Sequence, residues 1–421
     1  MSHDLYAAKD MPDRGFFQAN ITSRRTSRPI AGAKIQIRNI NDANDIIEET
    51  ETNSAGKSDL ITLPAPPLEY SMMPGTDRPY STYSIQITAP NFEPVEISGA
   101  EILSGQTALQ NTTLIPTPNT PEANKELFVI PPHTLYEKYP PKIPEEEIKT
   151  IEETGEIVLS RVVIPEYIIV HDGPPSDSRA KNYYVKYKDY IKNVASSEIY
   201  ATWPEETLIA NILAIQSITL NRVYTEWYRN KNYDFTITSS TAYDQKWISG
   251  RNIYASISQT VDSIFSNYLA RPNITQPIFT QYCDGRQVSC PNWMRQWESK
   301  TLGDRGYSAI EILRYFYGNS MYIASSEEIS GVPSSWPGSD LTIGSSGQKV
   351  RQLQQQLNTI AGAYPLIPKL AVDGIYGKKT AEAVKTFQQI FNLPATGVTD
   401  YPTWYKISEI YVGVSRIAEL M

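Results

Sequence analysis

The chain has 421 residues, 40% apolar and 20% charged, a globular usage that excludes disorder throughout and, at this length, calls for about two to four separate cores. A formal net charge of -8 without any run of Lys or Arg excludes a nucleic-acid partner, because a polyanion needs a concentrated basic surface. Residues 1–10 lack the apolar core of a signal peptide, and no window nears the roughly 20 apolar residues of a membrane span; the expectation is a protein made in a cytoplasm, without a membrane span.

Residues 1–116 form the first unit. Short alternating runs such as Ala33-Lys34-Ile35-Gln36-Ile37 and Tyr83-Ser84-Ile85-Gln86-Ile87, broken at Asn53-Ser54-Ala55-Gly56 and Pro64-Ala65-Pro66-Pro67, predict a small β-sandwich. The order Pro29 to Ala33, then Thr52-x-x-x-Gly56, then Tyr83 onward resembles the carboxypeptidase regulatory-like sandwich, which implies no catalysis.

Residues 117–163 change character. Pro118, Pro121, Pro131, Pro132, Pro140, Pro141 and Pro144 precede an acidic run over residues 145–156, which reads as a stiff, charged connector. Exposed, poorly packed segments are where proteases cut, so the connector is either a spacer or the processing site of a precursor, near Ser160-Arg161-Val162-Val163.

Residues 164–335 mix strands and helices and form the one unit large enough for a cleft. Within 189–198, Ile191, Val194 and Ala195 mark the core face of a helix, and Glu198 falls on that same stripe, four residues after Val194. An acid on an apolar face is either satisfied structurally or kept protonated by desolvation, ready to donate a proton. Thr202-Trp203-Pro204-Glu205 reads as a capping box opening a helix that is apolar on nearly every side, interrupted by Gln216, which either bonds a backbone group or faces the cleft.

Cys283 and Cys290 are too few for a disulfide scaffold and lack zinc-pair spacing; they are either two thiols on a hairpin or a local disulfide. His3, His133 and His171 are far apart in sequence, so neither a metal nor another cofactor is expected.

Residues 336–421 close the chain. Val350, Leu353, Leu357 and Ile360, then Val384, Phe387 and Phe391, recur at helical spacing and predict two packed amphipathic helices joined by a loop with Gly374 and Gly377, with Thr380 able to cap the second. The string Gly344-x-x-Gly347-x-x-Val350-x-x-Leu353-Gln354, Asp373-Gly374-x-x-Gly377-x-x-Thr380, Thr396-Gly397 and Thr403-Trp404 resembles the three-helix peptidoglycan-binding module of wall hydrolases. Asp373, Tyr376 and Trp404 are its candidate contacts to sugar or stem peptide.

Tyr190-Ile191-x-x-Val194-Ala195-Ser196-Ser197-Glu198, Trp203-Pro204-Glu205-Glu206, Ser240-Thr241-x-x-x-Gln245, Met294-x-Gln296-Trp297 and Gly306-Tyr307-Ser308 resemble, in order, the stage II sporulation protein D family of lytic transglycosylases. That resemblance implies that Glu198 is the catalytic acid. Two departures stand out: Gln216 replaces a frequent arginine, and Cys290-Pro291-Asn292-Trp293 replaces a Gly/His-rich run tied to zinc in some relatives. Tyr243, Gln245, Tyr282 and Gln296 are candidates to orient sugar hydroxyls and amides, and Asp244 is the candidate second acid.

The order of units is similar to that of clostridial spore cortex-lytic enzymes. This implies a precursor activated by a subtilisin-like protease and deposited around the cortex or coat from the mother-cell cytoplasm. Two other readings stay open: a non-catalytic wall-binding or amidase-enhancing protein, and a tip component of a phage tail or injection device.

Overall fold

The computed structural model describes residues 11–117, 125–149, 159–330 and 336–415. Residues 1–10, the acidic run from 150 onward and the boundary before 336 therefore lie outside the described residues.

The alternating runs of the first unit become strands because every second side chain turns to one face, as in Asp13–Ser23 (β1), where Phe17, Ala19 and Ile21 are buried. Lys34–Asn39 (β2), Asp42–Glu51 (β3), Ile61–Ala65 (β4), the short helix Glu69–Met72 (α1), Tyr80–Thr88 (β5), Val95–Leu103 (β6) and Thr107–Leu114 (β7) follow. They build two facing sheets with a common core.

Both sheets continue beyond the first unit. Glu126–Val129 (β8), inside the expected connector, joins the five-stranded sheet β3-β2-β5-β6-β8 in parallel with β6. The second sheet runs β13-β7-β1-β4, and its edge strand β13, Ile253–Tyr254, belongs to the middle unit; it pairs antiparallel with β7.

Side chains reinforce this join. Arg251, with no exposed side-chain surface, pairs with buried Glu101 at 2.5 Å, the Trp203 indole donates to Ser71 O, and Gly250, at φ +75, meets the Phe128 ring where a Cβ would stand. The expected exposed spacer is thus corrected over its described residues: β8 and residues 131–149 are packed against the other units.

The middle unit opens with Val163–Ile164 (β9), Tyr167–His171 (β10) and Asn182–Lys186 (β11), then Tyr187–Glu198 (α2) and Glu205–Tyr224 (α3). In α3 only Glu205, Glu206, Ile209 and Val223 escape full burial, as its apolar composition demands. The predicted capping box does not form. The helix begins after Pro204, and the Thr202 hydroxyl donates to Ser71 instead, because it sits too early to reach the first free amides.

Ile237–Thr238 (β12) completes the sheet β11-β10-β12. Beyond β13 come Ala255–Ile264 (α4), Asn267–Ala270 (β14), Tyr282–Cys283 (β15), Met294–Arg295 (β16), Gln296–Asp304 (α5), Ala309–Tyr317 (α6), Tyr322–Ser325 (β17) and Glu328–Ile329 (β18). Strand β18 pairs with β9 and ties the end of the unit to its start.

Gln348–Ile360 (α7), Lys378–Ile390 (α8) and Tyr401–Ser415 (α9) form the last unit, with the predicted stripes facing inward. Thr380 is not the cap of α8; Gly377 holds that position, and the Thr380 hydroxyl accepts from Gln354. Among the described residues, no helix is long and apolar enough to cross a membrane.

Helix α9 docks on the middle unit through a buried charge cluster. Glu409 meets Lys186, Lys188 and Lys406 at 3.2, 3.4 and 3.1 Å, and Asp262 meets Lys188 and Lys192 at 3.2 and 2.7 Å. Burial pushes the Asp262 carboxyl up, but the ammonium groups of Lys192, Lys188 and Lys406 outweigh it and hold the pKa at about 2. Its contribution to stability is present above the unfolded value near ~4 and lost as pH falls through about 2. Asp262→Ala, which strips buried Lys192 of its carboxylate while Lys188 keeps Glu409, is expected to cost about 3–5 kcal/mol in a denaturant titration at pH 7.

Candidate active site

Glu198 is the last residue of α2, on the stripe that buries Ile191 and Val194, and it is only 3% exposed. Its carboxyl is held by two donors. The Lys246 amide bonds Oε1 at 2.7 Å, and the Tyr282 hydroxyl bonds Oε2. Its backbone carbonyl accepts from Gln296 Nε2 at 3.1 Å. Burial raises the pKa of the carboxyl above the usual carboxylate value, opposed by the nearby Lys142 ammonium and by the two hydrogen bonds. A dry acid that keeps its proton closer to neutrality is what general-acid chemistry requires.

Three expected sugar contacts prove to be supports for this acid. Tyr282 is 2% exposed and spends its hydroxyl on Glu198, while accepting from Gln245 Nε2 at 3.1 Å. Gln245, fully buried, also donates to Ile215 O and accepts from Tyr190 and Thr219, which uses the whole amide. Gln296, also 2% exposed, is taken up by the Glu198 carbonyl. Each satisfies a buried group of the site itself, and in Tyr282 and Gln245 this leaves no free edge for a sugar.

Gln216 resolves to the structural alternative. It is buried and donates to Ile264 O and Asn267 O at 3.0 and 2.8 Å, bracing α3 against the turn after α4. Tyr243 is half-buried in the turn leading to Lys246, and its carbonyl accepts from Arg222.

Asp244 is corrected as a second acid. Its carboxylate is buried and engaged by Arg222 Nε at 2.7 Å, the Tyr228 hydroxyl at 2.6 Å, and both the amide and hydroxyl of Thr238. A carboxylate without exposed surface and held by four donors has no room to activate water.

The cysteines form a disulfide, Cys283–Cys290, with Cα atoms 6.0 Å apart. The loop it closes links Tyr282 to β16, which pairs in parallel with β15 and leads directly into Gln296. The Asp284 carboxylate accepts from the amides of Gln287 and Val288 inside that loop. Two supports of Glu198, Tyr282 and Gln296, therefore flank one covalently braced loop.

Of the three candidates in the last unit, only Asp373 is exposed, its carboxylate accepting from Gln354 and the Ile375 amide. Tyr376 and Trp404 are completely buried, and the Tyr376 hydroxyl donates to Gly397 O. Their aromatic faces fill the helical core, so they do not meet ligand.

Lys142 and Lys246 were missed from sequence. Lys142 reaches the site from the connector, and its one available signal was a basic residue just ahead of an acidic run.

Residues 177–268 match the stage II sporulation protein family, and residues 346–407 match the peptidoglycan binding domain family. The first stretch holds Glu198, Asp244 and Gln245; Tyr282 and Gln296 lie beyond it. The chain thus carries a domain matching the stage II sporulation protein family, which is associated with peptidoglycan degradation, and a domain matching the peptidoglycan binding family.

The zinc D-Ala-D-Ala carboxypeptidase of Streptomyces albus G is 40% identical over 75 residues, 18% of this chain and 28% of that protein, so the chain spans little more than a quarter of that relative. Among solved structures, the Bacillus anthracis TIE protein shares 14% identity over 25% of this chain and 17% of its own, with a TM-score of 0.18. The minor pilin GBS52 of Streptococcus agalactiae shares 16% over 27% and 48%, also at 0.18. A mutant of Acinetobacter radioresistens catechol 1,2-dioxygenase shares 16% over 29% and 59%, at 0.18. At such scores these likenesses define neither fold nor function.

Tyr282→Phe removes the hydroxyl that serves both Glu198 and Gln245 and leaves two buried groups unpaired. The expected loss is about 1–3 kcal/mol in urea unfolding, and an unchanged midpoint would show the hydroxyl to be dispensable.

Proposed function

We propose that the chain is a peptidoglycan lytic transglycosylase that cuts spore cortex glycan during germination and is made as a precursor activated by proteolysis. The observation that carries this is the dry carboxyl of Glu198, held by an amide and a phenol, while the candidate second acid, Asp244, is locked by Arg222 and Tyr228.

Hydrolysis of a glycoside ordinarily needs two carboxylates, one for the leaving oxygen and one for water or a covalent intermediate. Intramolecular transfer needs one. Glu198 gives its proton to the glycosidic oxygen, the bond to C1 of muramic acid breaks, and the carboxylate then takes the proton of that sugar's own C6 hydroxyl. The C6 oxygen closes on C1 as a 1,6-anhydro ring, so acid and base are one residue used twice. The peptidoglycan-binding domain match supports the same polymer as partner.

The precursor reading takes its support from the order of units, whose likeness to that of cortex-lytic enzymes implies a subtilisin-like activator and deposition in the cortex or coat region from the mother cell.

Glu198→Gln is expected to lower release of anhydromuramic ends from purified cortex by at least about a hundredfold, read by mass spectrometry of the muropeptides. Unchanged products would reject catalysis and leave a wall-binding or amidase-enhancing role. Because the acid must be protonated, activity should fall as pH rises through the raised Glu198 pKa; a rate flat from acid to alkaline pH would remove Glu198 from that step. Cutting between residues 149 and 163 should speed release, and equal rates would count against the precursor.

A further inference from the structure

A segment foreign to the middle unit passes beside the residues that hold Glu198. Residues 131–149 leave β8 and cross that unit with Pro140, Pro141 and Pro144 turned to solvent, while Lys142 and Lys149 are buried beneath. The backbone is bonded to the surface under it, Ile143 N to Ala242 O at 2.7 Å and Phe279 N to Glu147 O at 2.9 Å.

Two forked ion pairs clamp the crossing. Glu145 meets the buried Arg222 guanidinium at 2.9 and 2.6 Å, and Glu147 meets Arg271 at 2.6 and 2.9 Å. Between the prolines the chain drives Lys142 inward. Its ammonium donates to Thr241 O and Asp244 O and lies 4.9 Å from the centre of the Tyr282 ring, whose hydroxyl holds Glu198. Lysine is almost never fully buried without a partner, and a mere spacer has no reason to bury one. Its effect here is on the acid.

We propose that residues 139–149 are an internal plug: they occupy the face across which a glycan strand must approach Glu198, with Lys142 in the sugar's path and the Glu145–Arg222 and Glu147–Arg271 pairs as the latch. The consequence for activity rests on the glycan-cutting reading above; the occlusion rests on these contacts alone. The plug acts twice. It excludes the substrate, and its ammonium favours the charged carboxylate, the form that has no proton to give.

The plug is held at both ends. Upstream, β8 is built into the first unit's sheet; downstream, Leu159 N bonds Tyr224 O and β9 pairs with β18. A cut between these ends removes one tether and lowers the effective concentration of the plug at the site.

The test uses the full-length chain as wild type, as Glu145→Gln/Glu147→Gln, and as Lys142→Met, which keeps the latch and removes only the ammonium. Two rates are read: modification of Glu198 by a water-soluble carbodiimide with an amine, normalised to exposed Glu146 by peptide mass spectrometry, and release of anhydromuramic ends. Loss of the charge-assisted bonds is expected to raise both by about tenfold or more over intact wild type, with Lys142→Met changing in the same direction. Equal modification of Glu198 in wild type and both variants would overturn the plug. Faster modification with no product from any form, including the cut chain, upholds the plug and sinks the glycan-cutting reading instead.

Discussion

A carboxyl group taken out of water must be given donors or a proton, and that constraint organises the middle of this molecule. Glu198 lies on the apolar stripe of α2, where solvation is absent, so its oxygens are met by the Lys246 amide and the Tyr282 hydroxyl. Tyr282 in turn needs Gln245, Gln245 needs Ile215 and Thr219, and the loop carrying Tyr282 needs its disulfide. Each partner is buried and must be satisfied in its turn, which is why polar residues run so deep in an otherwise aliphatic core.

The same logic separates the two carboxyls of the middle unit that sequence reasoning set side by side. Glu198 has two hydrogen bonds and a lysine nearby, and burial still raises it. Asp244 has an arginine, a phenol, an amide and a hydroxyl on it. The first is held by two neutral donors, and the second is a fixed anchor for α3 and the turn at Thr238. Two buried carboxyls thus differ in the count and charge of their neighbours.

The units are also less separable than three folds on a string. Strand β13 of the middle unit completes a sheet of the first, β8 of the connector extends the other sheet, and α9 is held to α2 and α4 by a buried cluster of lysines and acids. Desolvated ion pairs such as Arg251–Glu101 add little net stability over an apolar packing, yet they are severe if broken, so they favour one docking geometry over others. The acid, the segment that crosses it and the C-terminal helices are thereby set in fixed relation to one another.

What could be read from the residues alone was whatever is local or periodic. The strands of the first unit, helix α2 with Glu198 on its buried face, the fully apolar α3 and the stripes of α7 and α8 all follow from spacing of two or about 3.6, and side-chain direction follows from that spacing. What only the tertiary structure decided was the destination of polar groups. Gln245, Gln296, Tyr282, Tyr376 and Trp404 were legible as unusual residues but not as inward-facing ones, and for Gln216 both directions stayed open, because their partners lie tens of residues away or on another element. Thr202 missed its capping role for a nearer hydroxyl on Ser71, and Lys142, unremarkable in a proline-rich stretch, became the cation that acts most strongly on the acid. Periodicity names the face a side chain points from; long-range contacts alone name what it meets.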